Sequence, residues 1–181
     1  MNIGFDLDRI FINHPPYISN KFIDLLYKES VRDELKYRIP SIPEQKLRLL
    51  THYSKLRKPM KQNIQFIEDL AAKNHNKHFL ISGRFAFLEK TTQKLIKQYN
   101  FDKIFNAMYF NFENKQPHVF KDEIIKKKHI DLYIDDDLDL LAYLAPRNPK
   151  TKFFWFNDKK DFSLCDNLLA ITELKKMTNY L

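Results

Sequence analysis

The sequence predicts an α/β fold, a doubly wound parallel sheet with a small helical cap inserted after its first strand. Five short apolar runs have the length and continuous apolar character of buried parallel strands, at residues 2–5, 77–81, 107–111, 130–134 and 152–156. Amphipathic helical patterns separate most of these runs, as connections between parallel strands require. A long stretch between the first run and the next helix predicts the cap.

The helices between the strands are predicted from apolar residues that recur on one face. Residues 60–73, for example, place Ile64, Ile67 and Leu70 on such a face. Further helices are predicted over residues 84–99, 118–128, 137–145 and 166–178. Because ligands bind beyond the carboxyl ends of the strands in such a sheet, polar residues at those ends are the first candidates for function.

The cap is predicted over residues 14–58. Apolar stripes within this stretch predict helices at 18–28 and 44–56, and four prolines interrupt it, at Pro15, Pro16, Pro40 and Pro43. The predicted domains are therefore a core of residues 1–13 and 59–181 and a small helical cap of residues 14–58.

Composition limits the functional classes. The 181 residues are 44% hydrophobic, enough for one well-packed domain with a modest insertion. With only two glycines, Gly4 and Gly83, the chain lacks the glycine-rich phosphate loops of dinucleotide-binding and Walker proteins. The single cysteine, Cys165, excludes an internal disulfide and a site of several thiolates, and we expect it to be buried.

Charge and hydropathy indicate the kind of partner. The net charge of +8 favours anionic partners without distinguishing nucleic acids from nucleotides or small phosphoesters. There is no run of about 18 apolar residues and no signal-peptide pattern. We therefore expect a cytoplasmic protein without a membrane partner; the sequence does not indicate its oligomeric state.

Two carboxylates, Asp6 and Asp8, directly follow the first predicted strand. When this strand is taken alone, a strand terminator or a turn explains Asp8 equally well. The second predicted strand ends in Ser82-Gly83-Arg84, where a helix is predicted to begin. Ser82 is therefore either a helix cap or, with the first amides of that helix, a phosphate ligand.

The fourth predicted strand ends in three aspartates, Asp135, Asp136 and Asp137, again before a helix. One carboxylate is enough to cap that helix, and a divalent cation would relieve the repulsion among three. Hard oxygen ligands suit Mg²⁺. Lys121, in the preceding helix, could balance these carboxylates and a phosphate, although an isolated lysine more often lies on the surface.

In order, strand context and spacing, these residues resemble the four motifs of the haloacid-dehalogenase (HAD) superfamily: an Asp-x-Asp strand end, a Ser or Thr strand end, a lysine and an acidic strand end. The resemblance covers residues 2–156, and it implies a Rossmann-like core with a cap in the position of the 14–58 insertion. The Ile-Asp-Asp ending of the fourth strand is similar to that of uncharacterised bacterial and nucleotidase-like HAD phosphatases.

The resemblance implies the catalytic roles. Asp6 would be the nucleophile and a metal ligand. Asp8 would bind Mg²⁺ through its carbonyl, and its side chain would act as general acid and then as general base. Lys121 would neutralise the phosphate and orient Asp6, with Lys115 as the alternative lysine.

The resemblance also implies the remaining contacts. Asp136 would be the third protein ligand of Mg²⁺, with Asp135 bound directly or through water. Ser82 would hold the transferring phosphoryl group, and Gly83 and Arg84 would lie beside it. Arg84 has an alternative interpretation as a solvent-facing residue in the first turn of the helix.

One departure concerns the residue after the second aspartate. HAD proteins usually have glycine there, followed by threonine or valine, whereas this chain has Arg9 and Ile10. Arg9 lacks the backbone freedom of glycine, so it either alters the turn into the cap or reaches over the site as a further anion contact.

The leading functional hypothesis is an Mg²⁺-dependent phosphatase that acts on a small phosphorylated metabolite or nucleotide through an aspartyl-phosphate. Basic residues of the cap would help to admit the substrate, namely Lys46, Arg48, Arg57 and Lys58. One alternative, allowed by the charge but not favoured, is a phosphatase of nucleic-acid ends. The other is a non-catalytic protein that uses the same fold to bind anions or a protein partner.

Overall fold

The structure is a computed structural model that describes residues 1–14, 28–31, 34–53, 56–73, 75–157 and 162–181. The strands within these ranges are β1 (Asn2–Phe5), β2 (Lys28–Val31), β3 (Glu34–Tyr37), β4 (Lys77–Ser82), β5 (Ala107–Phe110), β6 (Leu132–Asp135), β7 (Lys152–Phe156), β8 (Phe162–Cys165) and β9 (Leu168–Ile171). Seven of them form one sheet in the order β5-β4-β1-β6-β7-β9-β8, which is parallel except for the edge strand β8.

The α-helices within the same ranges are α1 (Ile42–Thr51), α2 (Lys61–Lys73), α3 (Glu89–Gln98), α4 (Phe101–Ile104), α5 (Pro117–Lys128) and α6 (Leu138–Leu144). Short 3₁₀ turns occur at Ala86–Leu88, Ala145–Arg147 and Leu174–Tyr180. No helix in the described part of the chain is both long and apolar enough to cross a bilayer.

Both faces of the main sheet are covered, which confirms the doubly wound α/β prediction. Strand residues alternate between the two faces, so Ile134 of β6 joins one apolar core and its neighbour Tyr133 joins the other. Ile67 of α2 packs in the first core, and Leu141 of α6 packs in the second. Burial of apolar side chains on both faces holds the helices against the sheet.

The position of β1 determines where the functional side chains meet. It pairs in parallel with β4 on one side and with β6 on the other, so Ile3 lies opposite both His78 and Leu132. The strand order reverses at β1, and a crevice forms beyond the carboxyl ends of the strands at such a reversal. The residues that follow β1 and those that end β4 and β6 therefore lie side by side.

Three predictions in the core need correction. Residues 166–178 are not one helix, because Leu168–Ile171 is an apolar run that pairs in parallel with β7. The helix predicted from residue 84 begins later, as a 3₁₀ turn at Ala86 and as an α-helix at Glu89. Cys165 is exposed and not buried, since it ends the edge strand β8.

The predicted cap is not wholly helical in its described part. Strands β2 and β3 form an antiparallel hairpin, and α1 corresponds to the helix predicted over 44–56. The helix predicted over 18–28 lies outside the described residues except for Lys28, which begins β2. The two ends of the insertion are joined by a bridge between Ile12 and Pro59.

Candidate active site

Asp6 lies at the centre of the candidate site. Its amide donates to the carbonyl of Ile134 over 2.9 Å, which extends the pairing of β1 with β6 by one residue. Its buried carboxylate accepts a hydrogen bond from the amide of Asp8 at 2.8 Å and another from the ammonium of Lys121 at 2.7 Å. The segment after β1 and α5 thus each hold one oxygen of the predicted nucleophile.

Lys121 links two of the predicted carboxylates. Its buried Nζ lies 2.7 Å from Asp6 and 2.6 Å from Asp135. Burial opposes the charge on Lys121, but the carboxylates of Asp135 and Asp6 outweigh burial and hold its pKa well above 10.5. Lys115, the alternative, is partly exposed and pairs with Glu123 over 2.7 Å. The structure therefore brings Lys121, and not Lys115, to Asp6.

Gly83 allows α5 to approach the end of β4. A Cβ atom at this position would lie 3.1 Å from the Cβ of Pro117 and 3.7 Å from the Cε of Lys121. Ser82, directly before it, is buried, with its Oγ 3.5 Å from the amide of Arg84. The absence of a side chain at Gly83 thus leaves room for the helix that carries Lys121, beside the serine predicted to hold the phosphoryl group.

Asp6, Asp135 and Asp136 form a cluster that could hold a cation. One carboxylate oxygen from each lies within 4.8 Å of the others. Burial raises the pKa of Asp6 from 3.8 to about 7, and burial together with the neighbouring Asp135 and Asp6 raises the pKa of Asp136 well above its ordinary value. Three carboxylates this close cannot all be ionised at little cost without a further positive charge. An all-oxygen, acidic donor set of this kind fits Mg²⁺.

Residues on β6 and β7 hold the acidic cluster in place. Asp135 accepts from the hydroxyl of Tyr133 at 2.8 Å, and the indole of Trp155 donates to the carbonyl of Asp136 at 2.9 Å. Asp137 points elsewhere and caps α6 by accepting from the amides of Asp139 and Leu140. The third aspartate of the run is therefore the helix cap, and the first two are left to the site.

The carboxylate of Asp8 is held by two arginines. Arg84 donates to both of its oxygens at 2.8 and 2.7 Å, and Arg57 donates to Oδ1 at 2.6 Å. Burial alone would raise the pKa of Asp8, but the guanidinium groups of Arg57 and Arg84 outweigh burial and hold it well below 3.8. Asp8 is therefore ionised at neutral pH in this arrangement, and the interpretation of Arg84 as a solvent-facing residue is wrong because Arg84 is buried.

Arg9 adopts the backbone conformation that its position demands. Its φ of 56° lies in the left-handed region that favours glycine, which accounts for the glycine usual at this point in the motif. The side chain of Arg9 lies 3.4 Å from Asp136, so it reaches a carboxylate of the cluster. Arg9 thus keeps the turn that glycine would make and adds a cation beside the site.

Only some of the basic cap residues that the sequence predicted to help admit the substrate lie on the surface. Lys46 and Lys58 are exposed, but Arg48 and Arg57 are buried. Arg57 therefore contacts Asp8 and does not line an entrance. Neither this contact nor that of Trp155 has a signal in the sequence, because each depends on how separate elements pack. Tyr133 and Asp135 lie two residues apart on one face of β6, a spacing that could have indicated their contact.

Comparison with known proteins identifies the fold. No family model and no curated protein matches the chain. Several solved structures match the chain. A haloacid dehalogenase-like hydrolase from Streptococcus pneumoniae has a TM-score of 0.61 and 13% identity, and the alignment covers 99% of this chain and 98% of that one. A HAD-superfamily hydrolase from Ehrlichia chaffeensis has a TM-score of 0.57 and 12% identity, covering 98% and 94%.

A third structure with the same core is a chain of the Pnkp1/Rnl/Hen1 RNA repair complex. It has a TM-score of 0.51 and 14% identity, and the alignment covers 86% of this chain but only 42% of that one. At these identities the matches establish the fold. The chain has the HAD fold, a Rossmann-like parallel sheet, as its sequence predicts.

Proposed function

We propose that this chain, which has the HAD fold, is an Mg²⁺-dependent phosphomonoester hydrolase that transfers the phosphoryl group to Asp6. The observation that carries the proposal is the joint position of Asp6, Lys121 and the Asp135–Asp136 pair. The lysine contacts the nucleophile at 2.7 Å, beside three carboxylates whose oxygens lie within 4.8 Å of one another. A lysine and a cation at one carboxylate allow an anionic nucleophile to approach an anionic ester.

The metal would be held by Asp6 and Asp136, with Asp135 bound directly or through water and the carbonyl of Asp8 as a further ligand. Bound there, Mg²⁺ would neutralise charge on the nucleophile and on the phosphate as the transition state forms. Lys121 adds a second positive charge beside Asp6, on its Oδ1. The hydroxyl of Ser82, a buried residue at the end of β4, would donate to a phosphoryl oxygen.

The chemistry of the chain then follows in two steps. Asp8, which is ionised in this structure, first takes a proton from solvent. A carboxylate oxygen of Asp6 then attacks phosphorus, the ester P–O bond breaks, and the leaving oxygen takes that proton from Asp8. In the second step Asp8, now ionised, removes a proton from water, and that water releases inorganic phosphate from Asp6. The ionised, doubly clamped Asp8 of this structure is the form that the second step needs.

The substrate class has two candidates. A small phosphorylated metabolite or nucleotide remains the first. A phosphorylated nucleic-acid end is the second, supported by the net charge of +8 and by the likeness in fold to a chain of an RNA repair complex. A non-catalytic anion-binding role is less well supported, because it needs neither a buried lysine on Asp6 nor a carboxylate cluster.

The test is a phosphatase screen with small phosphomonoesters and with oligonucleotides phosphorylated at the 3′ or 5′ end, each with Mg²⁺ and with EDTA. We expect phosphate release that depends on Mg²⁺ and disappears in Asp6→Asn. Intact mass should show a phosphorylated protein with the native residue at position 6 only. Full activity in Asp6→Asn would overturn the aspartyl-phosphate mechanism.

A further inference from the structure

Arg57 stands at the point where the inserted segment returns to the core. The amide of Asn13 donates to the carbonyl of Lys58 over 2.9 Å, and the amide of Met60 donates to the carbonyl of Phe11 over 2.8 Å. These two bonds and the Ile12–Pro59 bridge hold residues 11–13 beside residues 58–60. We call this paired segment the neck of the insertion. Arg57 is therefore fixed to the chain that directly follows β1.

The side chain of Arg57 crosses this neck to reach the site. It is only 2% exposed. Its Nε donates to the carbonyl of Asn13 at 3.0 Å, Nη2 lies 3.4 Å from the Nδ1 of His14, and Nη1 donates to Asp8 at 2.6 Å. One guanidinium thus contacts the segment that leaves the core, at Asn13 and His14, and also the carboxylate of Asp8.

Arg84 holds the same carboxylate from the core side. It binds both oxygens of Asp8, and its Nη1 donates to the buried hydroxyl of Thr92 in α3 at 3.2 Å. Asp8 Oδ1 is therefore shared by two arginines, one from the core and one from the insertion. A carboxylate held by two planar, bidentate-capable groups has little freedom to rotate.

We propose that Arg57 is a positioning residue for Asp8, through which the neck of the insertion sets the direction of the carboxylate that exchanges protons with the leaving group and with water. The inference rests on the proposed function and adds to it a role for a residue outside the four motifs. Loss of Arg57 leaves Asp8 oriented by Arg84 alone. Proton transfer should then suffer while binding of the phosphoryl group, which uses Lys121 and Ser82, continues.

The experiment compares two substrates in Arg57→Ala, in Arg57→Lys and in the control Arg38→Ala, an arginine of the same insertion that pairs with Glu44 on the surface. An alkyl phosphate needs a proton on its leaving oxygen, whereas p-nitrophenyl phosphate leaves with little assistance. We expect the single-turnover rate at which the alkyl ester phosphorylates Asp6 to fall on the order of 10- to 100-fold in Arg57→Ala, with a much smaller loss for p-nitrophenyl phosphate. Release of phosphate from the phosphorylated protein, for which Asp8 is the base, should slow equally with both substrates. Arg38→Ala should behave as the wild type.

Two further measurements separate positioning from a general structural role. Added guanidinium ion at millimolar concentration should restore part of the lost alkyl-ester activity in Arg57→Ala and none in Asp8→Asn. If Arg57→Ala does not fold, as read by its thermal transition, Arg57→Lys carries the same comparison. An equal loss of the phosphorylation rate for both substrates, or no loss in a folded variant, would overturn the role of Arg57. A wild-type protein inactive on both esters would overturn the proposed function itself, and the role of Arg57 with it.

Discussion

The hydroxyl of Tyr37 donates a 2.6 Å hydrogen bond to the carboxylate of Asp137. Tyr37 ends β3 in the insertion, and Asp137 caps α6 in the core directly after the two aspartates of the site. The backbone of Tyr37 is also held, since its amide donates to the side chain of Gln116 at 2.8 Å and its carbonyl accepts from it at 3.1 Å. The hairpin is thus attached to the amino ends of both α5 and α6.

Tyr37→Phe should lower stability, because it removes a buried hydrogen bond to a charged acceptor and changes little else. Such a bond contributes about 1.5–3 kcal/mol, so the thermal midpoint should fall by roughly 3–10 °C. Differential scanning calorimetry measures the shift. Tyr53→Phe, at an exposed tyrosine beyond α1, is the matched control and should melt with the wild type. Equal midpoints for the two variants would contradict the contribution of the Tyr37 bond.

Lys121→Ala should abolish turnover and also destabilise the metal-free protein. It leaves the buried carboxylates of Asp6 and Asp135 without their shared cation, and breaking a buried pair costs about 3–5 kcal/mol. Turnover should fall on the order of 10³-fold or more. Urea denaturation in EDTA and steady-state assays measure the two effects. Lys115→Ala should change neither, and a larger effect there would move the role to that lysine.

The stability that protonated Asp6 and Asp136 contribute to the metal-free protein should be lost as pH rises from about 4 to 7. The folded-state pKa of Asp6 is raised to about 7 and that of Asp136 is raised as well, so these two groups hold more protons in the folded chain than in the unfolded chain across this window. The stabilisation is complete below the unfolded pKa of 3.8 and is lost as pH rises through the folded pKa. Asp8, whose pKa is lowered, acts only below this window. His14 and His52, whose pKa values burial lowers to about 4 and about 3, contribute with the opposite sign, so the effect of the carboxylates is measured as a difference between variants.

Thermal midpoints measured from pH 4.5 to 8 in EDTA and in Mg²⁺ test this dependence. The cation should raise the midpoint more at pH 7 than at pH 4.5, because it favours the ionised carboxylates. Asp6→Asn removes one of the raised groups, so its metal-free midpoint should gain on that of the wild type as pH rises. Metal-free curves of the wild type and Asp6→Asn that stay parallel from pH 4.5 to 8 would show that Asp6 does not bind the extra proton.

Asp136→Ala should weaken Mg²⁺ binding by at least about 10-fold, because it removes a ligand of the cluster. The single tryptophan of the chain, Trp155, donates its indole N–H to the Asp136 carbonyl, so its fluorescence should change when the loop binds a cation. Fluorescence titration and calorimetry should give the same affinity. Asp102→Asn, at an exposed residue of α4, is the control. Unchanged affinity in Asp136→Ala would remove this residue from the ligand set.

Arg9→Gly should stabilise the protein slightly and bind Mg²⁺ more tightly. A non-glycine residue at a φ of 56° carries strain of about 1 kcal/mol, part of which is offset by the entropy of glycine in the unfolded chain. The substitution also removes a cation that lies 3.4 Å from Asp136. Calorimetric titration of Mg²⁺ and thermal melting measure both effects. Weaker metal binding in Arg9→Gly would show that Arg9 supports the cation site.

The sequence predicts the parallel core well because its strands are local signals. The apolar runs at β1 and β7 coincide with the observed strands, and the strand ends place Asp6 and Ser82 where sheet topology brings them together. The hairpin β2–β3 was not predicted. Its strands, Lys28–Val31 and Glu34–Tyr37, mix polar and apolar residues, and each gains its pairing partner only on folding.

The environment of Asp8 could not be predicted for a different reason. Its chemistry depends on Arg57 and Arg84, which lie 49 and 76 positions away in the chain. In the sequence, Arg57 is one of several basic residues of the predicted cap. Arg84 has one interpretation as a phosphate contact and another as a solvent-facing residue in the first turn of a helix. Only the closure of the neck and the packing of α3 reveal that both are buried against one carboxylate.

The absence of a side chain at Gly4 of β1 affects the packing of Tyr133 on the neighbouring strand β6. A methyl group there would lie 2.8 Å from the Cδ2 of Tyr133, too close for the ring to stay in place. Tyr133 orients Asp135, and Asp135 shares its ammonium partner with the nucleophile. The absence of a side chain at Gly4 therefore lets Tyr133 hold the hydrogen-bonded series Asp135, Lys121 and Asp6 in place, although Gly4 takes no part in it.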